Sequence, residues 1–285
     1  MILIADGGST KCDWIILDNE GLVVLKTRTH GLNPAVLSKE VLTERVLENE
    51  PLKEHASKIL KIFFYGAGCG TEKPSLALGK IFESIFENAE VVVKEDTYAA
   101  TFAATTEPGI ICILGTGSNS SYFDGVDVHT TVASLGYSVM DEASGNYFGK
   151  KLIQDYFYKK MPKNLRKKFA KMFDLDPDAI KENLYKKDNP NAYLARFAEF
   201  IFRNERNEYF TRVVKKGIKQ FFKTRIKTYD QYQEVPVHFI GSIAFFSTDI
   251  INRVAKKYNV KVGNIVRRPI DGLIEHHRRQ LKGIK

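Results

Sequence analysis

The chain has 285 residues, of which 44% are hydrophobic and 27% charged, so it can bury one large core or two ordinary ones and is not disordered. No apolar run approaches the ~18 residues of a membrane helix, and the apolar start ends at Asp6, too early for a signal peptide. We therefore expect a cytoplasmic protein with no membrane partner.

The net charge of +9 comes largely from three stretches that look helical: Lys159–Lys171, Arg203–Lys227 and Arg267–Arg279. Solvated helix faces explain them better than attraction of a nucleotide or a nucleic-acid surface, so no nucleic-acid partner is expected.

Apolar runs separated by turn residues open the chain. The runs Ile2–Ala5, Trp14–Leu17 and Leu22–Leu25 predict three strands, because short segments that contain glycine and other turn residues lie between them. Such short gaps favour an antiparallel meander over a strand–helix–strand unit. Further elements follow from the periodicity: a helix over 36–47 that Ser38 or Asn33 could begin, a strand over 59–65, a helix over 75–86, a strand over 91–93 and a helix over 96–104.

The same order of elements starts again at Ile110. A strand over 110–114 and a second meander over 120–131 precede long helices between 141 and 228, which are rich in Phe and Tyr. A strand over 237–240, a helix near 245–258, a strand over 260–266 and a helix over 270–281 close the chain. Repeated topology predicts two mixed α/β lobes with a ligand cleft between them. We expect lobe boundaries at 1–107 and 108–269, with the helical insertion 141–228 in the second lobe and the final helix 270–285 packed on the first.

Two glycine-containing turns at matching points of the halves are candidates for binding phosphate. The first joins two strands and contains Gly7, Gly8, Ser9, Thr10 and Lys11; the second contains Gly115, Thr116, Gly117 and Ser118. Adjacent glycines let the backbone approach a ligand, and the hydroxyl groups and the lysine add donors. Either turn alone is explained by an ordinary hairpin, and neither is a Walker A loop. As a pair, however, they could hold one polyphosphate.

Carboxylates and small residues at other strand ends complete the set of candidates. Asp6 could hold Mg²⁺, through water, and Asp96 could orient a hydroxyl group and accept its proton. Asp141 is placed to accept hydrogen bonds from sugar hydroxyls, whereas Gly241 and Ser242 form a turn on which an adenosine could pack. The alternative for the two later aspartates is an ordinary helix start.

These segments, in this order, resemble the N-acetylglucosamine kinase branch of the BadF/BadG/BcrA/BcrD-type ATPases in the actin/hexokinase/Hsp70 superfamily. The resemblance covers nearly the whole chain and is strongest at residues 6–11 and 115–119. It implies an α/β fold with two actin-like (ribonuclease H-like) lobes, each a mixed five-stranded sheet flanked by helices. It also implies ATP and Mg²⁺ as cofactors, and a small-molecule sugar as substrate.

The resemblance assigns roles residue by residue. The family's Asp-x-x-Ala-Ala segment matches 96–100 here, which implies that Asp96 is the catalytic base. Matching loops imply that Asn33, Asn119 and Asp141 contact the sugar, and that Gly241 and Ser242 contact the adenosine.

Three residues depart from the family pattern, two of them in the segment 140–144. Met140 and Ala143 stand where the family usually has glycine, and a side chain there is costly if the backbone needs a positive φ. Cys12 replaces a common threonine. The three cysteines form no metal-binding pattern, which argues against a zinc site, an iron–sulfur cluster or a disulfide framework.

We thus predict an ATP-dependent sugar kinase that phosphorylates a hydroxyl, expected to be the 6-OH, of N-acetylglucosamine or a related hexosamine. Two alternatives remain at this stage. One is an ATPase that couples its nucleotide state to a protein partner, and the other is a binding protein with weak or lost catalysis, suggested by Met140 and Ala143. The region after Ile240 could also serve a homodimer.

Overall fold

The computed structural model describes residues 1–8 and 10–283 of the chain. Contacts divide it into two compact units. Unit 1 comprises Met1–Ala104 and the C-terminal segment that begins at Arg268, and unit 2 comprises Thr105–Arg267.

Unit 1 contains a mixed five-stranded sheet in the order β3-β2-β1-β4-β5. The first three strands pair antiparallel and form the expected meander, whereas β4 and β5 join parallel to β1. Their bounds are Ile2–Gly7 (β1), Lys11–Leu17 (β2), Val23–His30 (β3), Lys61–Gly66 (β4) and Glu90–Glu95 (β5).

The helices of unit 1 connect the later strands. Ser38 begins the first of them, since its hydroxyl accepts a hydrogen bond from the Val41 N–H at 3.4 Å. A six-residue helix that the periodicity did not predict follows it and leads into a short 3₁₀ turn. The bounds are Lys39–Leu47 (α1), Glu50–His55 (α2), Glu72–Ile85 (α3) and Asp96–Ala104 (α4).

Alternation along β1 divides the core of unit 1 between the two faces of its sheet. Leu3 contributes to a cluster with Trp14 and Phe82, whereas Ile4 contributes to a cluster with Tyr65 on the opposite face. The sheet is thus covered on both sides, and functional side chains are left to the ends of its strands.

Unit 2 repeats this topology. Its sheet has the order β10-β9-β6-β7-β8, in which β6–β7–β8 is an antiparallel meander and β9 and β10 continue parallel from β6. The prediction of two mixed five-stranded sheets is confirmed. The bounds are Gly109–Leu114 (β6), Ser118–Phe123 (β7), Val128–His129 (β8), Val237–Ile240 (β9) and Val262–Val266 (β10).

Helices between β8 and β9 account for the Phe- and Tyr-rich part of the sequence. Their aromatic side chains fill one buried cluster. In it, the ring centroid of Phe169 lies within 6 Å of the ring centroids of Phe197 and Phe200. The bounds are Gly145–Phe157 (α5), Lys163–Met172 (α6), Pro177–Tyr185 (α7), Pro190–Arg203 (α8) and Glu208–Thr224 (α9). The region predicted as one helix near 245–258 is two, Ser242–Phe246 (α10) and Thr248–Lys257 (α11).

The last helix, Pro269–Leu281 (α12), returns to unit 1 and packs on α4. Gly272 makes this approach possible, because a methyl group at its position would lie 2.5 Å from the Cα of Ala103. Across the described residues, the search for a helix with the length and apolarity to cross a membrane finds none.

Candidate functional site

The first glycine turn connects β1 to β2 and has the hairpin form expected of it. Gly8 donates its N–H to the carbonyl oxygen of Lys11 at 2.8 Å, and Thr10 and Lys11 are exposed at the tip. Gly7 is buried, and its carbonyl oxygen accepts from the Ala67 N–H at 2.8 Å. Ser9, the remaining residue predicted here, lies outside the described residues. The turn therefore presents donors to solvent while its base is fixed to the loop after β4.

Asp6 lies directly opposite Asp13 across the β1–β2 ladder. Burial, and after it the charge of Asp13, raise the pKa of Asp6 to about 7, against the opposing charge of Lys11. Among the described residues, the nearby cations pair with Asp13 instead. Arg28 Nε lies 2.6 Å from Asp13 Oδ1, and Lys11 Nζ lies 3.5 Å from Asp13 Oδ2. A carboxylate in this state is stabilised by an added cation, so the donor set fits the predicted Mg²⁺ role.

Asp96 is the first residue of α4 and directly follows β5. Cys69, in the loop after β4, lies near it. Burial raises the pKa of the Cys69 thiol to about 12, and the nearby charges of Asp96 and Glu95 add to this effect. The parallel pairing of β4 with β5 places both strand ends at one edge of the sheet.

Asn33 borders the same loop. A methyl group at Gly68 would lie 2.0 Å from the Asn33 Oδ1, an oxygen that accepts a hydrogen bond from the Ala35 N–H at 3.0 Å. Unit 1 therefore places two residues predicted from the sequence, Asn33 and Asp96, beside one short segment, residues 66–70.

The second glycine turn connects β6 to β7 and is attached to the start of α5. Gly115 accepts a hydrogen bond from the Gly145 N–H at 2.8 Å, and Thr116 accepts one from the Asn146 N–H at 2.9 Å. Within the turn, the Gly115 N–H donates to the Gly117 carbonyl at 3.0 Å. These bonds fix the backbone of the turn before any ligand binds.

Asp141 supports this turn from beneath. Its carboxylate accepts hydrogen bonds from the Ser118 N–H at 3.2 Å and from the Asn146 Nδ2 at 2.8 Å, and the residue is 5% exposed. A methyl group at Gly117 would lie 2.8 Å from Asp141 Oδ2, so only glycine lets the turn rest on this carboxylate. The sequence indicated a sugar ligand here and gave no sign of this supporting role.

Ser118 has a buried hydroxyl with no hydrogen-bond partner among the described residues. A buried hydroxyl in that condition is costly unless a ligand supplies the missing oxygen. This unsatisfied donor lies next to Gly117, where a side chain would collide with Asp141. The combination fits a phosphate group. Asn119, the next residue, uses its Oδ1 to accept from the Ser120 N–H at 2.9 Å.

The predicted adenosine turn lies against the second glycine turn. Gly241 has a φ of 113°, and a methyl group there would lie 2.4 Å from the carbonyl oxygen of Leu114, the residue before Gly115. Ser242 begins α10 and is exposed. Unit 2 thus brings together the residues predicted for phosphate and for adenosine.

The two departures from the family pattern in the segment 140–144 behave differently. Ala143 has a φ of 60°, so the position does require the left-handed backbone that glycine adopts freely, and Asp141 has a φ of 70°. Met140 is not among the residues with positive φ, so the concern about its backbone is not supported.

Arg225 was predicted to lie on a solvated helix face, and this is wrong. The side chain is 1% exposed and donates to the carbonyl oxygens of Val132 and Ala133 at 3.1 and 3.4 Å and to the Met140 sulfur at 3.3 Å. Its Nε lies 3.9 Å from Glu142 Oε2. Arg225 therefore fixes the segment before α5, and nothing in the local charge pattern distinguishes it from its exposed neighbours.

A protein of solved structure from Porphyromonas gingivalis, described as a "Putative N-acetylglucosamine Kinase", is 34% identical to this chain. The match covers 98% of this chain and 99% of that one, with a TM-score of 0.90. Identity at this level over nearly the full length of both chains is sufficient to show a common family.

Two more distant structures show the fold alone. One, from Chromobacterium violaceum and described in the same words, is 16% identical with a TM-score of 0.73, covering 96% of this chain and 98% of its own. The other is a ROK family glucokinase from Streptomyces griseus, solved with glucose and AMPPNP; it is 13% identical with a TM-score of 0.59, covering 96% and 97%. No model of a protein family matches the chain, and no curated protein does.

Proposed function

Since the chain belongs to the family of N-acetylglucosamine kinase-like proteins, sugar kinases with the actin-like ATPase fold, we propose that it transfers the γ-phosphoryl group of ATP to the 6-hydroxyl of N-acetylglucosamine or a related hexosamine. The observation that carries this is the 34% identity over nearly the whole chain to the protein from Porphyromonas gingivalis. The converging turns in unit 2 and the carboxylates at the strand ends of unit 1 support it.

The nucleotide is proposed to bind mainly through unit 2. Gly115, Thr116 and Gly117 offer backbone groups of a turn that is already fixed, and Ser118 offers its unsatisfied hydroxyl. Gly241 and Ser242 are proposed to contact the adenosine. Because the turn is held in place by Asp141 and α5, little ordering entropy is lost when phosphate binds.

The first glycine turn is proposed to contact the phosphates through Gly7, Gly8, Ser9, Thr10 and Lys11. Asp6 is proposed to hold Mg²⁺, through water. When bound, this ion neutralises phosphate charge and fixes the geometry of the polyphosphate. The protein's contribution is a carboxylate whose charge is disfavoured until a cation arrives.

Asp96 is proposed to orient the sugar hydroxyl and to accept its proton as the oxygen attacks the γ-phosphorus. Asn33, Asn119 and Asp141 are proposed to hold the sugar. In phosphoryl transfer most of the rate enhancement comes from positioning and charge stabilisation. Placing Asn33 and Asp96 beside one segment of unit 1 supports that division of roles.

Release of ADP across a panel of sugars tests the proposed function. We expect N-acetylglucosamine or a close hexosamine to stimulate it strongly, and Asp96→Asn to abolish the stimulation while ATP still binds. Asp188→Asn, at an exposed position, is the matched control and should behave as the wild type.

Other outcomes point elsewhere. ADP release that no sugar stimulates and a protein partner does would favour an ATPase switch. Tight sugar binding without turnover would favour a binding protein, and Ala143 would be the first residue to revert to glycine, because of its positive φ.

A further inference from the structure

Glu95 is the last residue of β5 and directly precedes Asp96. Its carboxylate lies against the loop after β4, since a methyl group at Gly70 would be 2.9 Å from the Glu95 Cδ and Oε1. Sequence reasoning gave this residue no role. It lies beside Asp96 and against the loop that Asn33 also borders.

The carboxylate of Glu95 is poorly satisfied. Its hydrogen-bond donor in the structure is the Thr97 hydroxyl at 3.3 Å, and among the described residues no cation lies within ion-pair distance. Burial raises its pKa above the usual range, and the Thr97 hydrogen bond opposes this. At the other end of the same strand, Glu90 is exposed and pairs with Lys61 at 3.1 Å.

A partly buried carboxylate with one neutral donor destabilises the folded chain unless a ligand provides further donors. The surroundings of Glu95 fit a ligand that brings hydrogen-bond donors. Asn33 borders Gly68 and Glu95 borders Gly70, while the thiol of Cys69, between them, is close enough to sense the charges of both Glu95 and Asp96. The side chains of Asn33, Glu95 and Asp96 therefore lie beside residues 66–70.

We propose that Glu95 is a further substrate-binding residue, whose carboxylate accepts hydrogen bonds from sugar hydroxyl groups and so selects sugars that keep those hydroxyls. This rests on the proposed function. Two carboxylate oxygens can accept from two neighbouring hydroxyls, and hydrogen bonds to a charged acceptor are roughly twice as strong as neutral ones. A site built around a hydroxyl rejects the analogue that lacks it, because the polar group is then left unpaired.

The test compares steady-state kinetics of the wild type, Glu95→Gln and the matched control Glu90→Gln on N-acetylglucosamine and on its single-deoxy and O-methyl analogues altered at carbons other than carbon 6, so that each keeps the proposed acceptor hydroxyl. For the wild type we expect at least one of these analogues to have a KM about tenfold or more above that of the parent sugar. In Glu95→Gln the KM for the parent sugar should rise about tenfold, the penalty for that analogue should shrink, and the KM for ATP should stay within about twofold. Glu90→Gln should match the wild type throughout.

If the KM for the sugar is the same in Glu95→Gln and the wild type, the role of Glu95 is overturned and the kinase assignment stands. If the KM values for ATP and for the sugar rise by the same factor, the role is also overturned, because this indicates a structural defect. If Glu95→Gln does not fold, the wild type still decides, since equal KM values for every analogue exclude a selective hydroxyl acceptor. If no sugar stimulates ADP release by the wild type, the proposed function itself is overturned, and the role of Glu95 with it.

Discussion

Asp6 illustrates a carboxylate whose charged form the fold disfavours. Its pKa of about 7 lies above the ordinary 3.8, so between these values the folded state binds more protons than the unfolded state. Stability therefore falls as the pH rises from about 4 to 7, and the deficit is complete above pH 7. An isosteric neutral residue should remove it.

We accordingly expect Asp6→Asn to raise the free energy of unfolding at pH 8 by an amount on the order of 2 kcal/mol and to reduce turnover sharply. Urea titrations of both proteins between pH 4 and 8 measure this. The gain should grow with pH, and a gain that is constant across the range would contradict the assigned pKa.

Ser118 and Ser120, two residues apart on β7, provide a matched pair. Ser118 has the buried hydroxyl without a partner, whereas the Ser120 hydroxyl lies 3.1 Å from the Tyr229 hydroxyl. Ser118→Ala should leave the thermal midpoint unchanged or slightly higher and raise the KM for ATP about fivefold. Ser120→Ala should lose about 1 kcal/mol of stability with little effect on that KM. A reversed pattern in kinetics and thermal unfolding would remove Ser118 from the nucleotide site.

At this scale the sequence predicts where the candidate residues lie. The positions of Gly117 in the turn after β6 and of Asp96 at the end of β5 could be predicted from their neighbours, whereas their roles stay predictions. The support given by Asp141, the burial of Arg225 and the surroundings of Glu95 could not be, because each depends on contacts with residues distant in the sequence.

Among the elements, the end of α5 contains an avoidable strain. Lys159 follows the helix with a φ of 55° and donates its N–H to the Tyr156 carbonyl at 3.1 Å. Glycine is the usual residue at such a helix end, since other residues lose about 1 kcal/mol in the left-handed region. The side chain is exposed, so nothing packs on it.

Lys159→Gly should therefore raise the free energy of unfolding by up to about 1 kcal/mol, measured by chemical denaturation. Lys159→Ala is the control, because it removes the same side chain without relieving the backbone. Equal stability of the two variants would show that the backbone at this position is not strained.

Elements with several turns of clear periodicity were predicted correctly, and short or broken ones were not. The six residues of α2 are too few to show a helical period, and Pro51 interrupts the pattern. The break between α10 and α11 at Ser247, which is buried, leaves no signal in the apolar spacing. Boundaries of β2 and β3 extend beyond their apolar runs because pairing continues along the polar residues.

Across the whole molecule, the repeated order of strands was predictable because each half begins with a meander. The packing of the final helix on unit 1 was also expected from the sequence, but its contacts were not. His277 on α12 is 1% exposed, and its Nε2 lies 3.1 Å from the hydroxyl of Tyr65 on β4. Since α12 also packs on α4, the helix that begins at Asp96, the chain end supports a proposed catalytic element.

Burial is the largest cause that lowers the pKa of His277 to about 4. The unfolded chain binds the proton at the ordinary value of 6.5, so stability is full above pH 6.5 and falls as the pH drops toward 4. The loss amounts to at most about 3 kcal/mol. We expect His277→Gln to flatten this part of the profile and the exposed control His30→Gln to leave it unchanged. Thermal unfolding at pH 7.5, 6 and 5 measures this. If stability falls with pH in parallel for the wild type and His277→Gln, the lowered pKa assigned to His277 is refuted.

The most direct test of the central claim is identification of the product. The wild-type protein is incubated with ATP, Mg²⁺ and N-acetylglucosamine or the best sugar of the panel, and the mixture is followed by phosphorus and proton nuclear magnetic resonance. The kinase assignment predicts one sugar phosphate, with phosphorus coupled to the protons of carbon 6, formed in equal amount to ADP. Formation of ADP with inorganic phosphate and no sugar phosphate would contradict it.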